Sequence, residues 1–146
     1  MDTIEKELGK KIFDRESIQN VPVSDITRGL IFSKGTAFVE EGRTDYQNWV
    51  ANVSIDKKRC DYPPGFFDVS IGIINTRLYV NLDNAHAVAK LDEVVHELGH
   101  ALGFGAHFYG FAADKSDPIS KQFWVALKTL YDNPPGTSTA DVKLAE

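Results

Sequence analysis

Cysteine and methionine are scarce in this chain, and the scarcity of cysteine excludes one way of holding a fold together. The 146 residues contain one cysteine, Cys60, so no disulfide can form within the chain and stability must come from a hydrophobic core. Hydrophobic residues make up 42% of the sequence and charged residues 25%, as in folded globular domains. A chain of this length matches one domain. We therefore expect a single domain over 1–132 and a flexible tail over 133–146.

Basic residues are too few for a nucleic-acid surface. Lys and Arg number 16 against 21 Asp and Glu, the formal net charge is −5, and the basic residues form no cluster. Because a nucleic-acid interface needs a basic field, we expect no nucleic-acid partner. No apolar run approaches the roughly 18–20 residues that span a bilayer, so we also expect no membrane partner.

The cellular compartment stays open on the sequence alone. Residues 1–11 are charged and lack the apolar stretch of a signal peptide, so we expect no signal peptide there. A single cysteine suits the cytoplasm, and it equally suits a secreted enzyme from which a leader was removed. We expect a monomer.

Short apolar stretches between turn residues predict β-strands in the first half of the chain. These strands lie over 29–32, 36–39, 48–55, 67–74 and 77–82. An earlier stretch, 2–13, has apolar residues at i, i+4 spacing and predicts an amphipathic helix.

Two more helices are predicted in the second half. The first runs from about Ala85 to Leu102, with Asp83 or Asn84 as its cap. The second runs over 120–131, and its core face is formed by Phe123, Trp124, Leu127 and Leu130. Strands first and helices late predict an α+β fold, a twisted mixed β-sheet backed by helices.

The segment His96-Glu97-Leu98-Gly99-His100 carries the strongest chemical signal. Residues four apart on a helix share one face, so both imidazoles can reach one ion at the usual Zn–N length of about 2.0–2.1 Å. Glu97 lies beside them, where its carboxylate can take a proton from water at the metal. The spacing predicts a zinc site held by His96 and His100, with Glu97 as general base. The alternative is a pair of solvated histidines on an amphipathic helix.

Residues 95–104, VHELGHALGF, resemble the active-site helix of the metzincin peptidases, the clan of matrixins, astacins, snapalysins and leishmanolysins. In that clan a glycine three residues after the second histidine ends the helix, and Gly103 stands there. Residues 77–82 resemble the edge strand along which these enzymes align an extended substrate. The resemblance covers about residues 77–107 and implies a zincin-like fold that hydrolyses a protein or peptide substrate with zinc.

The chain departs from the metzincin pattern at two points. The clan's third ligand is expected six residues after the second histidine, where this chain has Ala106, and His107 follows one place later. We predict His107 as the third ligand, because nearby glycines let the backbone bulge. The lesser candidates are Asp114, Asp117 and Asp141. The other departure is that Met1 is the only methionine, so the Met-turn that underlies the zinc in the clan is missing.

These residues leave three functions open. The preferred one is a zinc metallopeptidase. The others are a catalytically silent zincin-like binding module, favoured by Ala106 and the missing Met-turn, and a compact zincin with an acidic third ligand, such as an aminopeptidase. Tyr109 and Tyr131 can each donate to an oxyanion or simply pack.

Two further residues near the motif are predicted to lie outside the metal site. Glu93, one turn before the motif, can hydrogen-bond a ligating imidazole, but we favour an exposed helix carboxylate. His86 would lie about 15 Å from His96 on the predicted helix, too far to share an ion, and is expected at the surface.

Overall fold

The described part of the chain contains three α-helices, a short 3₁₀-helix (Val23–Asp25) and six strands. The computed structural model describes residues 1–16, 20–37, 50–55, 58–59, 67–68, 73–113 and 119–146. The helices are α1 (Asp2–Leu8), α2 (Leu91–Ala101) and α3 (Lys121–Asp132). The strands are β1 (Gly29–Lys34), β2 (Ala51–Ile55), β3 (Lys58–Arg59), β4 (Phe67–Asp68), β5 (Ile73–Ile74) and β6 (Arg77–Leu82). This is an α+β fold, as predicted. None of these helices combines the length and the apolar character that crossing a membrane requires.

The main sheet is mixed, and β6 lies inside it. Four strands are ordered β1-β6-β2-β3, with β6 parallel to β1 and antiparallel to β2, and with β3 antiparallel to β2. Ile31 of β1 lies opposite Tyr79, and Val53 of β2 lies opposite Val80. The prediction that 77–82 is an edge strand is wrong, because β6 pairs its backbone with a neighbour on each side and has no free edge to offer.

The other strand predictions have mixed outcomes. Strand 29–32 is confirmed and extends to Lys34, and strand 48–55 is confirmed from Ala51 onward. The single strand over 67–74 is wrong, because β4 pairs antiparallel with β5 and the chain must reverse between them. In the predicted strand 36–39, Thr36 and Ala37 are not in a strand, and 38–39 lie outside the described residues.

The core lies between the main sheet and the helices. Leu78 and Val80 alternate along β6 and are fully buried, and α2 contacts both β2 and β6. The apolar stripe of α2 covers this face through Val95, Leu98 and Leu102, at helical spacing. Each such large apolar side chain contributes about 1.5–3 kcal/mol when buried. Packing therefore fixes which side of α2 faces the sheet.

The first helix ends earlier than predicted. It stops at Leu8, and Gly9 follows with a φ of 68°, in the left-handed region that ends helices. The carboxylate of Glu5 then accepts the backbone N–H groups of Ile12 and Phe13, at 2.9 and 3.0 Å. Ile12 still packs against the core, but from a loop, so the helix predicted over 2–13 is wrong beyond Leu8.

The second helix begins later than predicted, at Leu91. Asp83 has a φ of 61° and accepts the backbone N–H of Ala89. Asn84 accepts the backbone N–H groups of two residues that follow it closely, His86 and Ala87. Both side chains therefore stabilise a loop. Short polar side chains can bond to loop backbone in this way instead of capping a helix, so the predicted start near Ala85 is wrong.

The carboxylate of Glu93 caps the start of α2. It accepts the backbone N–H of Lys90 at 2.6 Å. Glu93 is half-buried and not exposed as predicted, and this contact with the helix terminus satisfies a donor that the helix leaves open.

The third helix and the segment after it pack together. α3 starts after Ser120, whose side chain accepts the N–H of Gln122, close to the predicted boundary. Phe123 and Leu127 are fully buried as predicted, whereas Leu130 is 46% exposed.

The segment 133–146, predicted to be a flexible tail, is hydrogen-bonded to itself and to α3. The side chain of Asn133 bonds the backbone of Lys143 in both directions, at 2.8 and 2.9 Å. The N–H of Ala145 donates to the Thr129 hydroxyl at 3.0 Å.

Candidate metal centre

Two histidines project from the side of α2 that does not face the sheet. Val95 and Leu98 are buried against the core, while His96 and His100 are half-buried. Because the two lie one helical turn apart, their rings meet with centroids 4.8 Å apart, and their Nε2 atoms are separated by 3.1 Å. The four-residue spacing of the motif on a helix therefore brings two imidazole nitrogens close together.

The chain reverses direction immediately after α2. Gly103 has a φ of 125°, and its N–H donates to the carbonyl of His100 at 3.1 Å. The N–H of Phe104 reaches back to the carbonyl of Gly99, also at 3.1 Å. These two bonds form a Schellman turn, in which a residue without a side chain is needed at the left-handed position. Gly103 therefore ends the helix as predicted.

This reversal also orients one of the imidazoles. Nδ1 of His100 lies 2.6 Å from the carbonyl oxygen of Phe104. A carbonyl can only accept, so the proton of the neutral ring resides on Nδ1, and Nε2 presents a lone pair. Such a contact is the usual way in which a protein sets the tautomer of a metal ligand.

His107 joins the pair from the loop that follows. Its Nε2 lies 3.2 Å from Nε2 of His100 and 3.1 Å from Nε2 of His96. Ala106, at the metzincin ligand position, is exposed. Within the described residues these three histidines are the one group of three or more metal-ligating side chains close enough to share an ion.

The acidic candidates do not join this group in the described part of the chain. Asp141 lies in the segment after α3, where it accepts the hydroxyl of Ser138 at 2.6 Å. Asp114 and Asp117 lie outside the described residues.

The three nitrogens fit the requirements of a zinc ion. At a Zn–N length of about 2.0–2.1 Å, tetrahedral ligands lie about 3.3 Å apart. The observed separations of 3.1, 3.2 and 3.1 Å are close to this value and nearly equal. Neutral imidazole is a common ligand of zinc, and three protein ligands leave a fourth position for water or substrate. The donor set can therefore hold a metal with an open site.

Other residues considered from the sequence lie in different surroundings. Glu97 is half-buried on α2, next in sequence to His96. Tyr109 is 71% exposed, on the turn after His107. Burial raises the pKa of Tyr131, on α3, to about 12. His86 is exposed in the loop before α2, as predicted.

One contributor, Phe111, was not predicted from the sequence. Its ring contacts the rings of all three histidines, with centroids 4.5, 4.9 and 5.6 Å away, and it is fully buried. Phe111 ends the segment Phe108-Tyr109-Gly110-Phe111, which has no helix or strand periodicity, so nothing in the pattern singles it out.

Comparison of the chain with protein-family models, with curated proteins and with solved structures found no match.

Proposed function

We propose that this protein is a zinc-dependent peptidase with a zincin-like fold. The observation that carries the proposal is the convergence of three histidine Nε2 atoms, 3.1–3.2 Å apart, two of them from the helix whose motif also contains Glu97. The residues proposed to hold the metal are His96, His100 and His107. The substrate is proposed to be a protein or peptide.

A histidine as third ligand favours the peptidase over the acidic-ligand enzyme. His107 completes a set of three without any carboxylate, and the set retains an open position that catalytic zinc sites need. The ligand spacing is one residue longer than in the metzincins. The chain turns back at Gly103, and His107 reaches the two helix histidines at this spacing.

Glu97 is proposed as the general base and then the general acid. The chemistry that zinc supplies in such a site is Lewis acidity, which lowers the pKa of water to near 7 and polarises a carbonyl. Glu97 sits between the two helix histidines in sequence, where its carboxylate can accept a proton from water at the site. The hydroxide so formed adds to the carbonyl carbon of the peptide bond, and as the C–N bond breaks Glu97 delivers its proton to the nitrogen that leaves as the amine.

The test combines metal content with turnover of an unstructured protein. Purified protein should contain about one zinc per chain and cleave the substrate, and a chelator should stop cleavage until zinc is restored. Glu97→Gln should keep the zinc and lower the cleavage rate by about 10²-fold or more, because a general base contributes typically 10²–10⁴-fold. Zinc is measured by elemental analysis and cleavage by release of new amino termini.

Two matched variants control this experiment. Asp92→Asn removes an exposed carboxylate from the same helix, and His86→Ala removes the histidine outside the cluster. Both should retain zinc and activity. Protein that binds zinc but does not cleave would instead indicate the silent zincin-like module, and protein that binds no zinc would remove the basis of the proposal.

A further inference from the structure

A single buried aromatic ring underlies the whole histidine cluster. Phe111 is fully buried, and its ring stacks on that of His96 at an interplanar angle of 25°. The rings of His100 and His107 meet it at 60° and 71°. We propose that Phe111 is the positioning residue of the metal centre. Its rigid ring supports the three imidazoles and holds them in their ligating orientation. This inference rests on the proposed metal site.

The position of Phe111 is itself fixed by aromatic packing. Its ring stacks on that of Phe123 from α3, with centroids 5.2 Å apart and an interplanar angle of 22°. Phe104 and Phe108 contact it from the loop, with centroids 5.5 and 5.3 Å away. A ring held between a helix and a loop in this way has little freedom to tilt.

Phe111 also connects the loop ligand to the helix ligands. The backbone of Phe111 exchanges two hydrogen bonds with that of Phe108, at 3.2 and 2.7 Å. Phe108 directly follows His107, so this short turn ties the backbone beside His107 to the ring beneath His96. The Phe111 ring therefore positions His107, from the loop, together with His96 and His100, from the helix.

The glycine inside the motif is what lets the ring approach the helix. A Cβ added at Gly99 would lie 2.8 Å from ring atoms of both Phe111 and Phe123, closer than real side chains come. Gly99 lies between His96 and His100 along α2 and is buried. Its missing side chain leaves the space in which Phe111 lies beneath both imidazoles.

The Phe111 ring affects metal affinity because it orients the three imidazoles and keeps water away from their buried side. Residues behind metal ligands typically change affinity by about 10–100-fold when they are altered, because they preset ligand geometry and control solvent access.

The test compares Phe111 with a phenylalanine that packs elsewhere in the core. Phe111→Leu should raise the zinc dissociation constant by about 10-fold or more, measured by competition with a chromophoric chelator. Phe13→Leu, the matched control, removes a half-buried ring that packs against the core from the loop after α1, and it should leave the dissociation constant unchanged within error. The second readout is the visible absorption spectrum of the cobalt(II)-loaded protein, which reports ligand geometry. It should change in Phe111→Leu and not in Phe13→Leu.

Phe111→Met and Phe13→Met form a milder pair, in which a long, flexible apolar side chain replaces the ring. Phe111→Met should lower zinc affinity in the same direction but by less than Phe111→Leu. If the leucine variants do not fold, the methionine pair tests the positioning role of Phe111. Equal losses within each pair would overturn the positioning role. Wild-type protein that binds no metal would overturn both this proposal and the metal centre, whereas metal binding without peptide cleavage would overturn only the proposed function.

Discussion

The turns that follow α1 and α2 are built alike and completed differently. Each helix is followed by a glycine at positive φ, Gly9 at 68° and Gly103 at 125°. In each, a helix side chain then holds the returning backbone. Glu5 accepts two N–H groups from the loop after α1, and His100 faces the carbonyl of Phe104 after α2.

The difference lies in what each helix side chain meets next. Glu5 is a buried carboxylate that pairs with the guanidinium of Arg15, so the chain itself supplies the opposite charge. His100 instead meets two more imidazoles, and this arrangement presents a set of neutral donors to a cation. The first turn is complete within the polypeptide, whereas the second leads to three side chains that can share an ion.

The largest expected effect comes from removing a ligand. His100→Ala should raise the zinc dissociation constant by about 10³-fold or more. Mutating a residue that only contacts a metal ligand already lowers metal affinity by about 10–100-fold, and losing the ligand itself should lower it further. His107→Ala should raise the dissociation constant less, by about 10²-fold, because this ligand is exposed in a loop whereas the other two are half-buried on α2. Competition with a chelator measures both.

Two variants outside the cluster complete that comparison. Asp141→Ala and Glu5→Gln should leave zinc affinity unchanged. An unaltered affinity in His107→Ala would show that the loop ligand is not bound.

A smaller effect is expected from the two helix-ending glycines. Gly103→Ala and Gly9→Ala should each lower the free energy of unfolding by about 1–3 kcal/mol, because an L residue is strained at these angles. A side chain at Gly103 would meet only Leu130, at 3.6 Å, and one at Gly9 would meet nothing within 4 Å, so the strain is in the backbone. Urea denaturation of metal-free protein measures the loss.

Zinc binding should separate these two variants. Gly103→Ala should also weaken zinc binding, because it shifts the turn that leads to His107, whereas Gly9→Ala should not. Equal zinc affinity in both would mean that the turn after α2 does not position the ligand.

The last effect concerns the stability of the turn after α1 in acid. The backbone N–H of Phe13, with further help from Ile12, Lys11 and Arg15, lowers the pKa of Glu5 to about 2. Because this folded-state pKa lies below the ordinary value of 4.5, Glu5 stabilises the fold fully above about pH 4.5 and loses this contribution as the pH falls toward 2. Glu5→Gln should flatten that part of the stability profile, measured by denaturation of metal-free protein between pH 5 and 2. A profile as steep as that of the wild type would refute the assignment.

The success of prediction depended on how local the interactions were. The helical face with His96 and His100 follows from a four-residue spacing, and the turn at Gly103 follows from one missing Cβ. The start of α2 was misjudged because Asp83 and Asn84 accept N–H groups of a loop. The sequence does not distinguish this role from that of a helix cap. The single strand over 67–74 was misjudged because apolar content does not reveal a reversal of the chain.

The sequence by itself determined the α+β class, the helix with its two converging imidazoles, and the candidate base Glu97. These depend on residues within one or two helical turns of each other, where backbone geometry alone sets the distances. Only the tertiary structure decided that His107 reaches the other two histidines, that Phe111 lies beneath all three, and that β6 is internal in the sheet. Each of these depends on contacts between segments whose separation along the chain carries no periodic signal, so packing had to decide them.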